Sequence, residues 1–129
     1  MENKGAFLLL MIFLHIVDDF YLQGPLAKFK QLKWWVDQFD NYEEFLKYRI
    51  DYNIALFIHA FSWTFMVMLP ITILFYGTLD WKYYLVFEIN WMIHVIVDDL
   101  KANKRKINLC VDQSIHLIQV IITWALFFL

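Results

Sequence analysis

Long apolar runs dominate the pattern of hydrophobic and polar positions along this chain. Four of them approach the roughly 20 residues that a helix needs to cross the hydrocarbon core of a membrane. They lie at about residues 5–22, 53–75, 82–100 and 107–129. Because lipid offers the backbone no hydrogen-bond partner, each run is predicted to be an α-helix. The predicted fold class is therefore all-α, an integral membrane four-helix bundle.

The connections between these runs differ in length and charge. Residues 76–81 form a short turn, and residues 101–106, KANKRK, form a short basic one. Residues 23–52 are longer, and their apolar positions recur at helical spacing between lysines. This pattern predicts an interfacial amphipathic helix between the first and second runs, with a plain loop over the bundle as the alternative. The apolar positions are Leu26, Phe29, Leu32, Val36 and Phe39. Asn41 and Glu44 have the spacing of a capping box, which predicts the start of a helix leading into the second run.

Composition agrees with a membrane protein and excludes other classes. Of the 129 residues, 61% are hydrophobic, whereas a soluble domain is usually about 45–50% apolar. The length predicts a single transmembrane domain over residues 1–129. A net charge of −2 gives no indication of a nucleic-acid partner. The single cysteine, Cys110, excludes a disulfide framework.

Lysine and arginine are concentrated on one side of the predicted bundle. The connections 23–52 and 101–106 carry nine of them, and the opposite side carries only Lys4 and Lys82. Since positively charged loops stay in the cytoplasm, both basic connections are predicted to be cytoplasmic and both termini to lie outside. The expected location is the inner, or cytoplasmic, membrane, where lipid is the first partner. The aromatic-rich surface also permits a homo-oligomer, although no GxxxG motif marks an interface.

The polar residues inside these runs fall at one depth. All four histidines of the chain, one in each run, lie near the predicted cytoplasmic ends. Three aspartates lie four positions from a histidine, and residues i and i+4 share a helix face. The pattern therefore predicts a cluster of imidazoles and carboxylates that faces the interior. Its members are His15, Asp19, His59, His94, Asp98, Asp112 and His116.

The carboxylates of this cluster need a positive partner, because a charged aspartate deep in lipid costs about 2.5–3.5 kcal/mol on insertion scales. Lys101 is the only cation expected on the same face. Histidine nitrogen and carboxylate oxygen are good ligands for Zn²⁺, Mn²⁺ and Fe²⁺. We therefore predict one or two divalent transition-metal ions bound by the seven residues. A metal-free polar network or a proton relay is the alternative.

Several of these residues also stand in longer motifs. These are HIVDDFYLQ from His15, HVIVDDLK from His94 and VDQSIHLIQV from Val111, with His59 between the first two. From about His15 to Gln119 the chain resembles the domain-of-unknown-function 3307 family of small bacterial and phage membrane proteins. The resemblance implies a helical membrane protein with a His/Asp cluster, and it brings no settled activity.

Three patterns of this family can be placed on the chain residue by residue. The pattern H-x-x-x-D-[aromatic]-x-x-Q falls on His15, Asp19, Phe20 and Gln23, H-x-x-x-D-x-x-K on His94, Asp98 and Lys101, and DQ-x-x-H on Asp112, Gln113 and His116. The last of these is the most specific element of the resemblance.

A metal bound by these histidines and aspartates indicates a hydrolase that acts in the membrane. A bound ion lowers the pKa of a water toward neutrality and polarises a phosphoryl or acyl oxygen. Asp18 or Asp99 is the predicted general base, and both are also suited to orienting the ligands beside them. Lys101 is predicted to bind an anionic group of a phosphorylated small molecule or a lipid headgroup. The alternatives are a metal-ion or proton transporter, and a regulatory or effector protein whose metal only staples the bundle.

Overall fold

Helices form every regular element of the protein. The computed structural model describes residues 3–129 and contains no β-strand over that range. The elements in chain order are α1 (Lys4–Ile16), continued by a π-helical segment (Val17–Leu22), α2 (Leu26–Phe29), α3 (Leu32–Val36), α4 (Tyr42–Tyr48), α5 (Asp51–Leu74), α6 (Trp81–Ala102) and α7 (Leu109–Phe128). The predicted all-α class is therefore confirmed.

Three of the helical stretches are long and apolar enough to cross a membrane. They are Lys4–Leu22, Tyr42–Leu74 and Leu109–Phe128. Helix α6 contains the third predicted run and has 22 residues, but five of them are charged. Length and composition thus support three of the four predicted crossings, and α6 is the more polar exception.

The long helices contact one another in pairs. Helix α5 packs against α1 and α6, and α7 packs against the same two helices. Their apolar core lies toward the end of the molecule where α1 begins and α7 ends, and its most buried members are Met11, Trp63, Val67, Met68, Ile71 and Val120. At the other end of the same helices the interior becomes polar, and the histidines lie there.

Apolar side chains also cover much of the outer surface. Leu9 and Ile73 are each 69% exposed, and Phe13 is 59% exposed. Exposed apolar surface of this extent is typical of proteins that contact a membrane or another protein.

The connection 23–52 differs from the single amphipathic helix that the sequence predicts. Two short helices, α2 and α3, replace it, because the backbone is extended at Gln31 (φ −101°, ψ 114°). The Leu32 N–H donates to Asn103 Oδ1 at 2.8 Å, and Asn103 Nδ2 donates to the Lys30 carbonyl at 3.1 Å. One side chain from the end of α6 therefore satisfies the two backbone groups at the break.

Helix α4 begins where the sequence predicts a helix start. The Asn41 side chain accepts a hydrogen bond from the Glu43 N–H at 2.9 Å, and the helix starts at Tyr42. This is an N-cap interaction, which stabilises a helix by about 1 kcal/mol. The helix leads into α5, as predicted.

We expect Asn103→Leu to loosen the connection without unfolding the long helices. The substitution removes the hydrogen bonds of Asn103 to Leu32, to Lys30 and to Asp99. Net losses of about 0.5–1.5 kcal/mol per bond predict amide exchange at least tenfold faster over residues 26–36. Hydrogen exchange with mass spectrometry checks this.

Gln38→Ala is the matched control, because the Gln38 amide bonds only to the Trp34 carbonyl of its own turn. Exchange over residues 26–36 that is equally slow in Asn103→Leu and in the control would contradict the role given to Asn103.

Candidate metal centre

Six of the seven predicted ligands come together in the interior. They form two groups, and within each group the ligand atoms lie within 4.8 Å of one another. The first group is Asp19, His59, His94 and Asp98, and the second is Asp19, Asp112 and His116. All six side chains are buried, and Asp19 belongs to both groups.

The first group is centred on His59. Its Nε2 atom lies 3.3 Å from Asp19 Oδ1, 3.4 Å from Asp98 Oδ2 and 3.3 Å from His94 Nε2. A tetrahedral ion with bonds of about 2.0–2.1 Å separates its ligand atoms by about 3.3–3.4 Å. Most N–H···O hydrogen bonds are shorter, about 2.9–3.0 Å. The three separations from His59 Nε2 therefore match those between the ligands of one ion, and His94 Nε2 lies 3.8 Å from Asp98 Oδ2 in the same group.

The second group is arranged around His116. Its Nε2 atom lies 3.4 Å from Asp112 Oδ1 and 3.5 Å from Asp98 Oδ1. The other oxygen of Asp112 accepts hydrogen bonds from Lys101 Nζ at 2.6 Å and Gln113 Nε2 at 3.0 Å. These donors hold the carboxylate with its free oxygen toward His116.

The π-helical segment positions Asp18 and Asp19. Neighbouring side chains diverge less in a π-turn than the roughly 100° of an α-helix, because each turn holds more residues. Both carboxylates can therefore face the interior, and both are buried. Asp18 Oδ1 accepts from Ser62 Oγ at 2.6 Å, and its Oδ2 lies 3.8 Å from Nδ1 of His59. Asp18 is thus placed behind the imidazole, where a carboxylate orients a ligand ring.

Trp63 also contacts the cluster, although the sequence pattern does not single it out. It is fully buried and stacks on His94, with ring centroids 4.3 Å apart. His94 stacks in turn on His116 at 4.1 Å. Trp63 lies four residues after His59 on α5, so the same i, i+4 rule that selected the carboxylates could have found it.

Lys30 corrects the expectation that Lys101 is the only cation facing the cluster. Its Nζ atom donates to Asp98 Oδ2 at 2.6 Å, and its side chain is only 8% exposed. The sequence placed Lys30 on the polar face of an interfacial helix. The break between α2 and α3 turns it inward instead, so that two ammonium groups face the carboxylates. A carboxylate oxygen has two lone-pair sites, so Asp98 Oδ2 can accept from Lys30 and still bind an ion.

His15 and Asp99 lie outside both groups, as Asp18 and Lys101 do. The Nδ1 atom of His15 accepts a hydrogen bond from Trp63 Nε1 at 2.7 Å, which occupies one of its two ligand atoms. Asp99 lies at the rim, where it bonds Asn103 at 2.8 Å and Lys104 at 2.8 Å. The hydrogen bond that Lys104 donates to Asp99 raises the pKa of the exposed Lys104 ammonium. The predicted ligand role of His15 and the predicted base role of Asp99 remain predictions.

A cleft of about 410 Å³ lies on the side of the cluster from which Lys30 enters. It is lined by residues 31–33 and 36 of the connection and by Ala102, Asn103 and Arg105. Asn103 also bonds the Lys30 carbonyl, so Lys30 lies between this cleft and Asp98. The cleft carries the positive side chains of Lys33 and Arg105, which suit an anionic molecule.

Comparisons of the chain with protein-family models, with curated proteins and with solved structures found no match. The resemblance to the 3307 family therefore stays a prediction, and function is argued from the geometry.

We expect Lys30→Met to destabilise the metal-free protein. The substitution keeps the length of the side chain but leaves Asp98 with an uncompensated buried charge. Breaking a buried ion pair in this way costs about 3–5 kcal/mol in the free energy of unfolding. Added Zn²⁺ should restore most of the loss, because the ion replaces the missing positive charge. Thermal unfolding of chelator-treated protein in detergent, with and without Zn²⁺, measures both effects.

Lys33→Met is the control, because Lys33 lies three residues away and is exposed. Equal melting temperatures for the two variants without metal would show that the Lys30–Asp98 pair does not support the fold.

Proposed function

We propose that this chain is an integral membrane protein whose four long helices form a bundle around a divalent metal centre, and that it is a metal-dependent hydrolase. The observation that carries the metal centre is the spacing of Asp19, His59, His94 and Asp98. Four buried ligand atoms from three helical stretches lie within 4.8 Å of one another, and the three separations from His59 Nε2 are those between the ligands of one tetrahedral ion. Membership of the 3307 family is part of the same proposal.

The proposed bundle has α6 crossing the membrane together with the three more apolar stretches. Asp98 faces the interior, and Asp99 and Lys101 lie in the last turn. Lys82 lies in the first turn, and its Nζ atom donates to the Leu126 carbonyl at 2.6 Å. Glu88 is the one exposed charge between them, about 10 Å from the start of the helix. The charges of α6 are therefore compatible with a crossing in which the ends lie at the two interfaces.

The same arrangement supports the proposed orientation. The connection 23–52 and the turn 101–106 lie together at the end of the bundle that holds the cluster, since Asn103 bonds the Lys30 carbonyl. These are the two most basic connections, which the positive-inside rule places in the cytoplasm. Both termini then lie outside, and the metal centre is reached from the cytoplasm of an inner membrane.

Hydrolysis needs an ion with a free coordination position, and the second group offers one. Catalytic zinc sites typically have three protein ligands and a water, whereas structural sites have four protein ligands. Asp19, Asp112 and His116 are three ligands. These residues would hold an ion that lowers the pKa of a water toward neutrality. The OH of that water would add to the phosphorus or acyl carbon of the substrate, and the leaving oxygen would take the proton.

The substrate class follows from charge and position. The cleft beside Lys30 carries Lys33 and Arg105, and Lys101 bonds Asp112 at the edge of the second group. These cations favour a phosphorylated small molecule or a lipid headgroup that enters from the cytoplasm. Of the two proposed bases, Asp18 lies inside the layer and has a free oxygen 3.8 Å from His59 Nδ1. It is therefore better placed than Asp99.

A metal-stapled regulatory or effector protein is the second candidate, because the four ligands of the first group leave a tetrahedral ion no open position. Metal-ion or proton transport is a further alternative that uses the same ligands. A staple holds its ion against chelators and has no turnover. A transporter moves the ion across a sealed vesicle. Metal retention, product release and vesicle uptake therefore separate the three functions.

We expect detergent-purified protein to contain bound Zn²⁺, Mn²⁺ or Fe²⁺, and His59→Ala to lose at least 90% of the ion that binds most tightly. His59 supplies the atom at the centre of the first group, so its removal opens the coordination sphere. Elemental analysis after gel filtration measures the content.

Thr64→Val is the matched control, because Thr64 is buried in the same helix and its hydroxyl has no partner among the described residues. Protein that is folded and free of metal when purified from metal-supplemented cells would refute the metal centre.

We expect Asp18→Asn to reduce turnover of the metal-loaded protein without releasing its metal. A general base contributes about 10²–10⁴-fold to a rate, and kcat should fall by that factor while KM changes little. Release of inorganic phosphate from glycerol phosphate and from phosphatidic acid in proteoliposomes measures activity on a soluble and a lipid substrate.

Asp99→Asn makes the same change at the other proposed base, and a fall in kcat in this variant alone would assign the role to Asp99 instead. If metal-loaded wild-type protein releases no phosphate from either substrate, phosphate-ester hydrolysis is excluded as its function. The metal-stapled protein and the transporter then remain as candidates.

A further inference from the structure

We infer that a second divalent ion binds beside the first, between His116 Nε2, Asp112 Oδ1 and Asp98 Oδ1, with Asp19 shared by both ions. This inference rests on the proposed metal centre and deepens it. The first ion would have His59 and His94 to itself, the second would have His116 and Asp112, and the two would share Asp19 and Asp98.

Three buried atoms without hydrogen-bond partners point to this second position. His116 Nε2, Asp98 Oδ1 and Asp112 Oδ1 have no hydrogen-bond partner among the described residues, and all three side chains are at most 1% exposed. They face one another at 3.4 and 3.5 Å. A buried polar atom that is left unpaired costs about 1–3 kcal/mol. Three such atoms around one point are stabilised together by a cation placed between them.

The hydrogen bond on the other side of the ring indicates that His116 Nε2 has a free lone pair. The Nδ1 atom lies 3.0 Å from Gln119 Oε1. The Gln119 amide nitrogen donates to the carbonyl and the side-chain oxygen of Asn90, which fixes the amide orientation. The carboxamide oxygen can only accept, so Nδ1 carries a proton, and Nε2 holds the lone pair when the ring is neutral. The lone pair and the two carboxylate oxygens beside it repel one another, and a cation placed among the three atoms removes this repulsion.

Asp98 connects the two positions through its two oxygens. Oδ2 lies 3.4 Å from His59 Nε2 in the first group, and Oδ1 lies 3.5 Å from His116 Nε2 in the second. Asp19 offers an oxygen to each group as well. Two bridging carboxylates are the usual way in which bundles hold ion pairs, and ions in two-metal sites lie about 3.5–4 Å apart.

Charge balance predicts which of the two ions binds more tightly. The four buried carboxylates at the site, Asp18 included, are opposed by the ammonium groups of Lys30 and Lys101. The site therefore carries two net negative charges when its imidazoles are neutral, and one divalent ion neutralises them. The second ion binds more weakly, because it adds positive charge to a neutral site. An anion such as phosphate restores the balance, so phosphate and the second ion strengthen each other's binding.

The test is metal stoichiometry of the full chain in detergent. Chelator-treated wild-type protein is titrated with Zn²⁺, and bound ion is counted by elemental analysis after gel filtration. We expect two ions per chain, the second with a Kd at least tenfold higher, and a lower Kd for the second ion in 10 mM inorganic phosphate, on the order of threefold or more. Asp112→Asn and His116→Ala should each retain the first ion and lose the second. Thr64→Val should retain both.

An independent measurement on the wild type does not depend on how the variants fold. With two equivalents of Mn²⁺, two ions about 3.5–4 Å apart give the exchange-coupled spectrum of a pair in electron paramagnetic resonance. Isolated Mn²⁺ signals at two equivalents would overturn the inference, and so would one ion per wild-type chain. Zero ions would refute the proposed metal centre itself, so the two failures are distinguishable.

Discussion

The cost of burying carboxylates among apolar helices is the constraint on which the rest of the structure depends. Asp98 shows how that cost is offset, because a buried side chain that is 1% exposed is surrounded by Lys30, His59, His94 and His116. Each partner comes from a different part of the chain. One carboxylate is therefore contacted from the connection 23–52, α5, α6 and α7. The apolar core at the other end of these helices holds the long helices at fixed distances from one another. An uncompensated charge at this point would cost several kcal/mol, a large fraction of the stability of a small domain.

A structural ion needs a complete set of protein ligands, whereas a catalytic ion needs a free coordination position. The first group has a full set of four protein ligands, which suits a structural ion, whereas the second group has three. Lys30 and Asn103 cover the cluster on the side of the basic cleft. A hydrolase of this design has its reactive ion beneath a covering segment, so that substrate entry requires the connection to move. A stapled protein needs no such movement, and the mobility of the connection is therefore as informative as the metal content.

Much of the site could be predicted from spacing, because helices that cross a membrane have a fixed rise and a fixed face. The pairs His94 and Asp98, and Asp112 and His116, meet as the i, i+4 rule predicts. Lys30 could not be predicted, since its inward direction depends on a break in the helix and on Asn103, 73 residues away in sequence. Helical spacing places both Asp18 and Asp19 near the inner face and selects Asp19 as the ligand, and both are buried. The π-helical segment at Val17–Leu22 that holds them there has no known sequence signal. His15 matched the spacing but bonds Trp63, because spacing fixes the face of a helix and not the nearest partner.

The two ammonium groups also bear on how such a protein is made. Lys30 and Lys101 pair with Asp98 and Asp112 before any metal arrives. A nascent chain can therefore insert and assemble its helices with half of the buried negative charge already compensated. In the proposed metalloprotein, metal loading would then be a late maturation step that is separable from biogenesis. A cell starved of metal would accumulate assembled protein that lacks only its ion.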